Sequence, residues 1–299
     1  MKVAQVGSRV TLKNILFLTD FSEPSERALP FALAMAREFG ARLHALHVMV
    51  PQPYTYTTPE LMDLALKAQE ECAENSMRQV DAQMAGLVHR TSICRGSGVW
   101  PSLAETSNEC SADMLVLGTH GRTGAQKLLL GSVAEEIFRL LAVPVLTIGP
   151  EVRSSTHTAA RFRRVLFATD FSEESKAAVP YAISLAQENQ AELVLLHVIP
   201  ERKAHEGRPS SEISVANAMH ELYELVPPEA ELWCRPEPTV RYGEPAPTIL
   251  ASAEELGADL IVLAVRSAAG RLGAATHLER AVAHKVVSHA KCPVLTVRG

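Results

Sequence analysis

The sequence predicts an α/β protein made of two tandem copies of one domain, each a parallel sheet with helices on both faces. Three observations predict it. The chain has 299 residues, the length of two ordinary domains. Blocks of the N-terminal half recur in order in the C-terminal half. Within each half, short apolar runs alternate with stretches of helical periodicity, the rhythm of βα units joined by right-handed crossovers.

The repeat is the firmest of the three, because an internal repeat constrains the whole fold. Ile15-Leu16-Phe17-Leu18-Thr19-Asp20-Phe21-Ser22 returns as Val165-Leu166-Phe167-Ala168-Thr169-Asp170-Phe171-Ser172, 150 positions on, and Leu46-His47-Val48 returns as Leu196-His197-Val198. Ala112-Asp113-Met114-Leu115-Val116-Leu117 is matched by Ala258-Asp259-Leu260-Ile261-Val262-Leu263, and Val143-Pro144-Val145-Leu146-Thr147 by Cys292-Pro293-Val294-Leu295-Thr296. The expected domains are therefore 1–150 and 162–299, with 151–161 as a Ser/Thr-rich linker.

Each element of the first half has a local cause. Lys13–Thr19 is a nearly continuous apolar run, as expected of a strand buried on both faces. Ser22 is placed to cap the next helix, with Glu23 and Pro24 in its first turn. Ala28, Phe31, Ala32, Met35 and Phe39 then recur at helical spacing until Gly40 stops the helix. Arg42–Val50 is the second strand, and Thr58-Pro59-Glu60 opens a helix reaching about Ala85. Val88–Arg95, Asp113–Gly118 and Pro144–Gly149 complete five strands, with helices at Val99–Cys110 and Ser132–Leu141 between them.

Composition excludes several functions. With 47% hydrophobic and 21% charged residues, the chain has material for two full cores. A net charge of −5 gives no basic stripe for nucleic acid. No apolar run approaches the roughly 18 residues of a membrane span, and residues 1–10 lack the apolar core of a signal peptide. Five cysteines without a CxxC pair read as reduced thiols, so the expected location is cytoplasmic and no metal site is expected.

The chemistry gathers after the fourth strand. Gly118-Thr119-His120-Gly121-Arg122-Thr123-Gly124-Ala125-Gln126-Lys127-Leu128-Leu129-Leu130-Gly131-Ser132 is glycine-rich and basic, without an acidic residue. Glycines let backbone N–H groups approach an anion, and the helix that follows offers free N–H groups and a favourable dipole. In parallel sheets ligands sit beyond the carboxyl ends of the strands, where Asp20 and Gly118 both fall. Each residue also has a structural reading. Asp20 can complement a helix dipole, Ser132-x-x-Glu135 can be a capping box, and Gly118 and Gly131 can serve tight turns. Arg122 and Lys127 can be solvated, and His47 and His197 read as core-edge histidines.

Gly118-x2-Gly121-x9-Gly131-Ser132, with the Thr-Asp-Phe-Ser and Leu-His-Val blocks before it, resembles the ATP-binding signature of the universal stress protein family. The resemblance covers nearly the whole chain, and it implies pairing through the last strands, 144–149 and 293–298, whose open edges suit the two halves to form a pseudo-dimer; a further homodimer is also open. It implies Rossmann-like, adenine nucleotide α-hydrolase-like domains, each a five-stranded parallel sheet in the order 3-2-1-4-5. It further implies that Thr19, Asp20 and Val48 hold the adenine end of ATP. Gly118, Gly121, Gly131 and Ser132 would hold the ribose and phosphates, with Val133 adjoining, and Mg²⁺ would arrive with the triphosphate; His120 and Arg122, read from the loop itself, are further candidates for phosphate contact.

The second half departs from this pattern: Ala264 and Ser267 stand where the family has glycines, and no Gly-Ser pair opens the last helix. Thr276-x-x-Glu279 offers a capping box, set 17 residues before Pro293 where Ser132 lies 12 before Pro144, so a longer helix is expected. Asp170 and Val198 remain as half of an adenine pocket. Gly270, Gly273, Arg266 and Arg271 leave open a different anion loop. No G-x-x-x-x-G-K-[ST] or G-x-S-x-G motif is present. The expected function is a nucleotide-binding stress-response module that acts through partner or oligomer choice and is not primarily an enzyme. A slow metal-dependent ATPase and a scaffold that binds no nucleotide are the alternatives.

Overall fold

The computed structural model describes residues 9–50, 58–119, 132–152, 161–200, 211–228, 230, 236–265 and 274–299. The first half runs β1 (Asn14–Leu18), α1 (Glu23–Phe39), β2 (Arg42–Met49), α2 (Pro59–Gln83), β3 (His89–Arg95), α3 (Val99–Glu109), β4 (Met114–Gly118), α4 (Ser132–Leu140) and β5 (Val145–Ile148). The second runs β6 (Arg164–Thr169), α5 (Glu173–Asn189), β7 (Glu192–Ile199), α6 (Ser211–Glu224), β8 (Pro236–Tyr242), α7 (Pro245–Leu256), β9 (Leu260–Val265), α8 (Ala274–His289) and β10 (Val294–Arg298). Most of the expected linker, 153–160, lies outside the described residues. No helix among the described residues is long and apolar enough to cross a membrane.

All ten strands form one sheet, in the order β3-β2-β1-β4-β5-β10-β9-β6-β7-β8. Pairing is parallel within each half, and β5 meets β10 antiparallel, with Val145, Leu146 and Thr147 opposite Thr296, Leu295 and Val294. The central strands are apolar on both faces because both are covered. Ile15 and Phe17 enter one core and Leu16 the other, and Val165, Phe167 and Leu166 repeat the division. One core lies under α1, α2, α5 and α6, the other under α3, α4, α7 and α8; both run unbroken across the junction. Strand direction reverses at that junction, so the carboxyl ends of the two halves lie on opposite edges of the sheet.

The junction repeats its own chemistry. Thr147 Oγ1 donates to the Val294 carbonyl at 2.9 Å, and Thr296 Oγ1 donates to the Val145 carbonyl at 3.3 Å. Both hydroxyls are buried, so each bond satisfies a group that water does not reach. Beyond the strand ends, the Arg298 guanidinium donates to the Phe138 carbonyl in the last turn of α4, a group a helix leaves unsatisfied. At the matching place in the other half, Gly149 brings bare backbone against the Val287 carbonyl of α8.

Helix ends agree with the sequence in part. Gly40 closes α1 in the left-handed conformation (φ 61°), and Thr58 Oγ1 caps α2 by accepting from the Leu61 N–H. Two expectations are corrected. The Ser22 hydroxyl donates to the Asp20 carboxylate but accepts no hydrogen bond from the first turn of α1, so its side chain does not cap that helix. The last helix begins at Ala274, two residues before Thr276, so Thr276 does not stand at the cap position. Cys72, Cys94, Cys110 and Cys292 are free thiols, and Cys234 lies outside the described residues. Burial pushes the Cys292 thiol up to about 12, so it packs as a protonated apolar group.

Across the junction, the segment leading into β1 lies on α5. Val10 donates its N–H to Ser184 Oγ at 2.9 Å, and Arg9 pairs with Glu188. Glu38, at the end of α1, is the repeat mate of Glu188 and faces it. Burial is the main cause raising Glu38 to about 7; Glu188 adds to the rise, while an amide hydrogen bond from Asn189 and the charge of Arg161 oppose it. A carboxyl raised in the folded state stabilises fully below its unfolded value near 4.5 and loses that contribution as pH rises through about 7. Glu38→Gln is therefore expected to stabilise the protein above pH 7, by at most about 1–2 kcal/mol given partial exposure. That gain should vanish as pH falls to about 4.5, and urea denaturation across the range measures it.

Candidate functional site

The site is built on the turn that ends β1. Phe21 takes a left-handed backbone (φ 59°), a conformation that costs a bulky residue roughly 1–2 kcal/mol. Several contacts hold it there. The Phe21 N–H donates to Thr19 Oγ1 at 3.0 Å, and the Phe21 ring lies 4.4 Å from the His47 ring. His47 Nδ1 meets the Thr19 carbonyl at 2.8 Å. A carbonyl only accepts, so that nitrogen carries the proton. The reading of His47 as a structural, core-edge residue agrees with this contact and with its burial.

The same turn fixes Asp20 at the strand end. Its Oδ1 accepts from the Ser22 N–H at 3.0 Å, from the Ser22 hydroxyl at 2.5 Å and from the Ser25 hydroxyl. Asp20 thus organises the start of α1, as its structural reading requires, and presents a carboxylate of fixed position beside β2 and β4. Ser25 is a residue that the site prediction missed. It is buried, and its recurrence as Ser175 at the repeat offset was the available signal.

The second half rebuilds this turn almost atom for atom. Phe171 has φ 63°, its N–H donates to Thr169 Oγ1 at 3.0 Å, and its ring stacks 4.3 Å from that of His197. His197 Nδ1 donates to the Thr169 carbonyl at 2.9 Å, and Asp170 Oδ1 accepts from the Ser172 N–H at 3.0 Å and hydroxyl at 2.6 Å. Here Ser172 does cap its helix, accepting from the Ser175 N–H at 3.2 Å.

The halves diverge at the end of the fourth strand. A Cβ on Gly118 would lie 2.6 Å from the carbonyl carbon and oxygen of Pro24 and 3.0 Å from the Ser25 nitrogen. Gly118 therefore lets β4 close against the first turn of α1, a packing role that neither a ligand nor a tight turn supplies. Its counterpart in the second half is Ala264. Ala264 instead lines a cavity of ≈ 180 Å³ bordered by Asp170, Glu174, Val198, Ile249 and Val282.

The strand pairings bring Thr19, Asp20, Val48 and Gly118 to one edge of the first half. Val48 is nearly buried, and Val133 stands exposed at the start of α4. Ser132 is the first residue of α4, whose N-terminus follows the glycine-rich stretch. His120, Gly121, Arg122, Lys127 and Gly131 lie outside the described residues, as do Arg266, Ser267, Gly270, Arg271 and Gly273 of the second half. Among the described residues no group of three or more His, Cys, Asp or Glu side chains could hold a metal ion.

Comparison with known proteins agrees with this architecture. The sequence model of the Universal stress protein family matches residues 11–149 and again 161–298. A universal stress protein of Mycolicibacterium smegmatis is 27% identical over 303 residues, covering 95% of this chain and 96% of its own. The Methanocaldococcus jannaschii universal stress protein MJ0531 is 30% identical over 140 residues, 46% of this chain and 81% of its own. Among solved structures, a universal stress protein from Archaeoglobus fulgidus superposes with a TM-score of 0.68 at 22% identity, covering 96% of this chain and 97% of that one. At that identity the likeness concerns the fold alone.

The close approach at Gly118 generates a prediction that involves no ligand. Gly118→Ala should destabilise the protein by about 1–3 kcal/mol through overpacking against Pro24. Urea denaturation without nucleotide measures it, and a neutral outcome would show that α1 yields without cost.

Proposed function

The chain belongs to the universal stress protein family in both halves, and from that premise we propose that its first half, residues 1–150, binds ATP with its divalent metal. The bound state then biases which partner or oligomer the protein forms. The observation that carries this reading is the pinned turn at Thr19–Asp20 beside the end of β4, where the chain leaves Gly118 for the glycine-rich stretch and the start of α4. A fixed carboxylate and an apolar Val48 suit the adenine end of the ligand. Gly118 seats β4 against α1 at the edge of the site; glycines at Gly121 and Gly131, with His120, Arg122, Ser132 and Val133, suit the ribose and phosphates, and the dipole of α4 favours their charge. The metal would arrive on the triphosphate and neutralise part of that charge. The second half, residues 162–299, acts as the pairing partner, since Ala264 and Ser267 replace the glycines of the cradle.

The two cores are continuous across the junction, so the test belongs on the full chain rather than on severed halves. ATP with Mg²⁺ should raise the melting temperature, with about 2.7 kcal/mol gained at a hundred times Kd. GTP and cyclic AMP serve as specificity controls in the same thermal-shift assay. Gly121→Val should abolish the ATP shift by placing a branched side chain where the backbone approaches the phosphates. No shift at saturating ATP would leave the scaffold as the surviving function.

A further inference from the structure

We propose that the outer rim of β3 is an interface for a second copy of this chain, joined strand to strand about a two-fold axis. It stands independently of nucleotide binding. β3 ends the sheet. The Leu43 N–H donates to the Val88 carbonyl at 3.0 Å, and the Gly96 N–H donates to the Met49 carbonyl at 3.1 Å. Between them β2 and β3 pair in parallel, Leu43 opposite His89 and Met49 opposite Arg95. Backbone groups alternate sides along a strand, so the even-numbered residues of β3 serve β2. The N–H and C=O of His89, Thr91, Ile93 and Arg95 point outward, and among the described residues no backbone group meets them there.

Three observations select a second copy as the occupant. The chain already joins two matching edges in this way, since β5 and β10 are repeat mates and pair antiparallel. The outer rims are repeat mates too, but they differ at the rungs. Pro236 and Pro238 lie opposite Leu193 and Leu195, as His89 and Thr91 lie opposite Leu43 and Ala45. The prolines remove outward N–H groups from β8, whereas β3 keeps all of its own. The third observation is the placement of charge. Arg90 and Arg95 deter an arbitrary incoming strand. Antiparallel pairing centred on Ser92 sends them to opposite ends of the contact. Thr91 then faces the partner's Ile93, and His89 faces the partner's Arg95, each pair exchanging two hydrogen bonds. His89 is paired with Asp81 at 3.1 Å, and Arg95 with Glu70, so each brings its own carboxylate to that meeting. On the other face Arg90 meets the partner's Cys94. At the axis, where the backbones come closest, stands the small Ser92, whose hydroxyl is bonded to His44 at 2.9 Å. An isologous contact of this kind closes at two copies.

Light scattering on the full chain, without nucleotide, should give the mass of two chains at tens of micromolar. Thr91→Pro removes one outward N–H, leaves the ladder to β2 whole, and copies the residue that β8 carries at the same place. It should raise the dissociation constant at least about tenfold. Thr91→Val keeps the N–H and should leave the dimer intact. Amide hydrogen exchange on the unaltered chain supplies a second reading, which decides the matter if the proline variant fails to fold. Exchange at Thr91 and Ile93 should slow as concentration rises, while that of Ser92 and Cys94, already bonded to β2, should hold steady. A monomer at tens of micromolar would overturn the proposal. So would a dimer that Thr91→Pro leaves as tight as before, one that Thr91→Val dissolves equally, or exchange at Thr91 and Ile93 that ignores concentration. None of these outcomes bears on ATP binding, which the thermal-shift assay reads separately.

Discussion

The antiparallel contact between Val145–Thr147 and Val294–Thr296 is the interaction on which the rest of the molecule depends. Two parallel five-stranded sheets would each present an unpaired, apolar edge strand, a liability in water. Joining them satisfies both ladders and merges four helical faces over two continuous cores. The buried Thr147 and Thr296 hydroxyls bond the opposite strands' carbonyls, so the seam is tied by side chains as well as by its ladder. The packing of each half is then continuous with that of the other.

The repeat also separates what the fold needs from what a ligand needs. Thr19-Asp20-Phe21-Ser22 and Thr169-Asp170-Phe171-Ser172 form the same turn, with the same strained phenylalanine held against the same histidine. That turn is the architectural constant. Gly118 against Ala264 and Pro24 against Glu174 are the variables, and they occur together at the point where strand end and helix start meet. Gly118 admits the first turn of α1 at that point, and Ala264 lines a cavity.

Much of this was legible in the residues. Apolar runs marked the strands, since burial on both faces leaves little else to place there, and the family resemblance pointed to the last strands, with their shared Val-Leu-Thr, as the seam. The ends of elements were less legible. Ser22 carries a capping residue's chemistry and makes no cap bond, although Ser172 at the repeat position makes one and both hydroxyls donate to the preceding aspartate. Thr276 sits in a capping pattern, but the helix reaches back to Ala274. The reason for Gly118 was hidden because it depends on Pro24, nearly a hundred residues away in the chain, and no local pattern reports a contact of that kind.

The outer rims of the sheet have a consequence of their own. On one rim lies β8, whose seven residues include Pro236 and Pro238. Proline offers no N–H, so an incoming strand would find alternate rungs of that rim missing. The opposite rim, β3, carries no proline; Arg90 and Arg95 stand on it, the latter paired with Glu70. Lateral growth of the sheet is thus stopped at one side by covalent structure and deterred at the other only by charge. Strand addition is therefore disfavoured at β8 more than at β3.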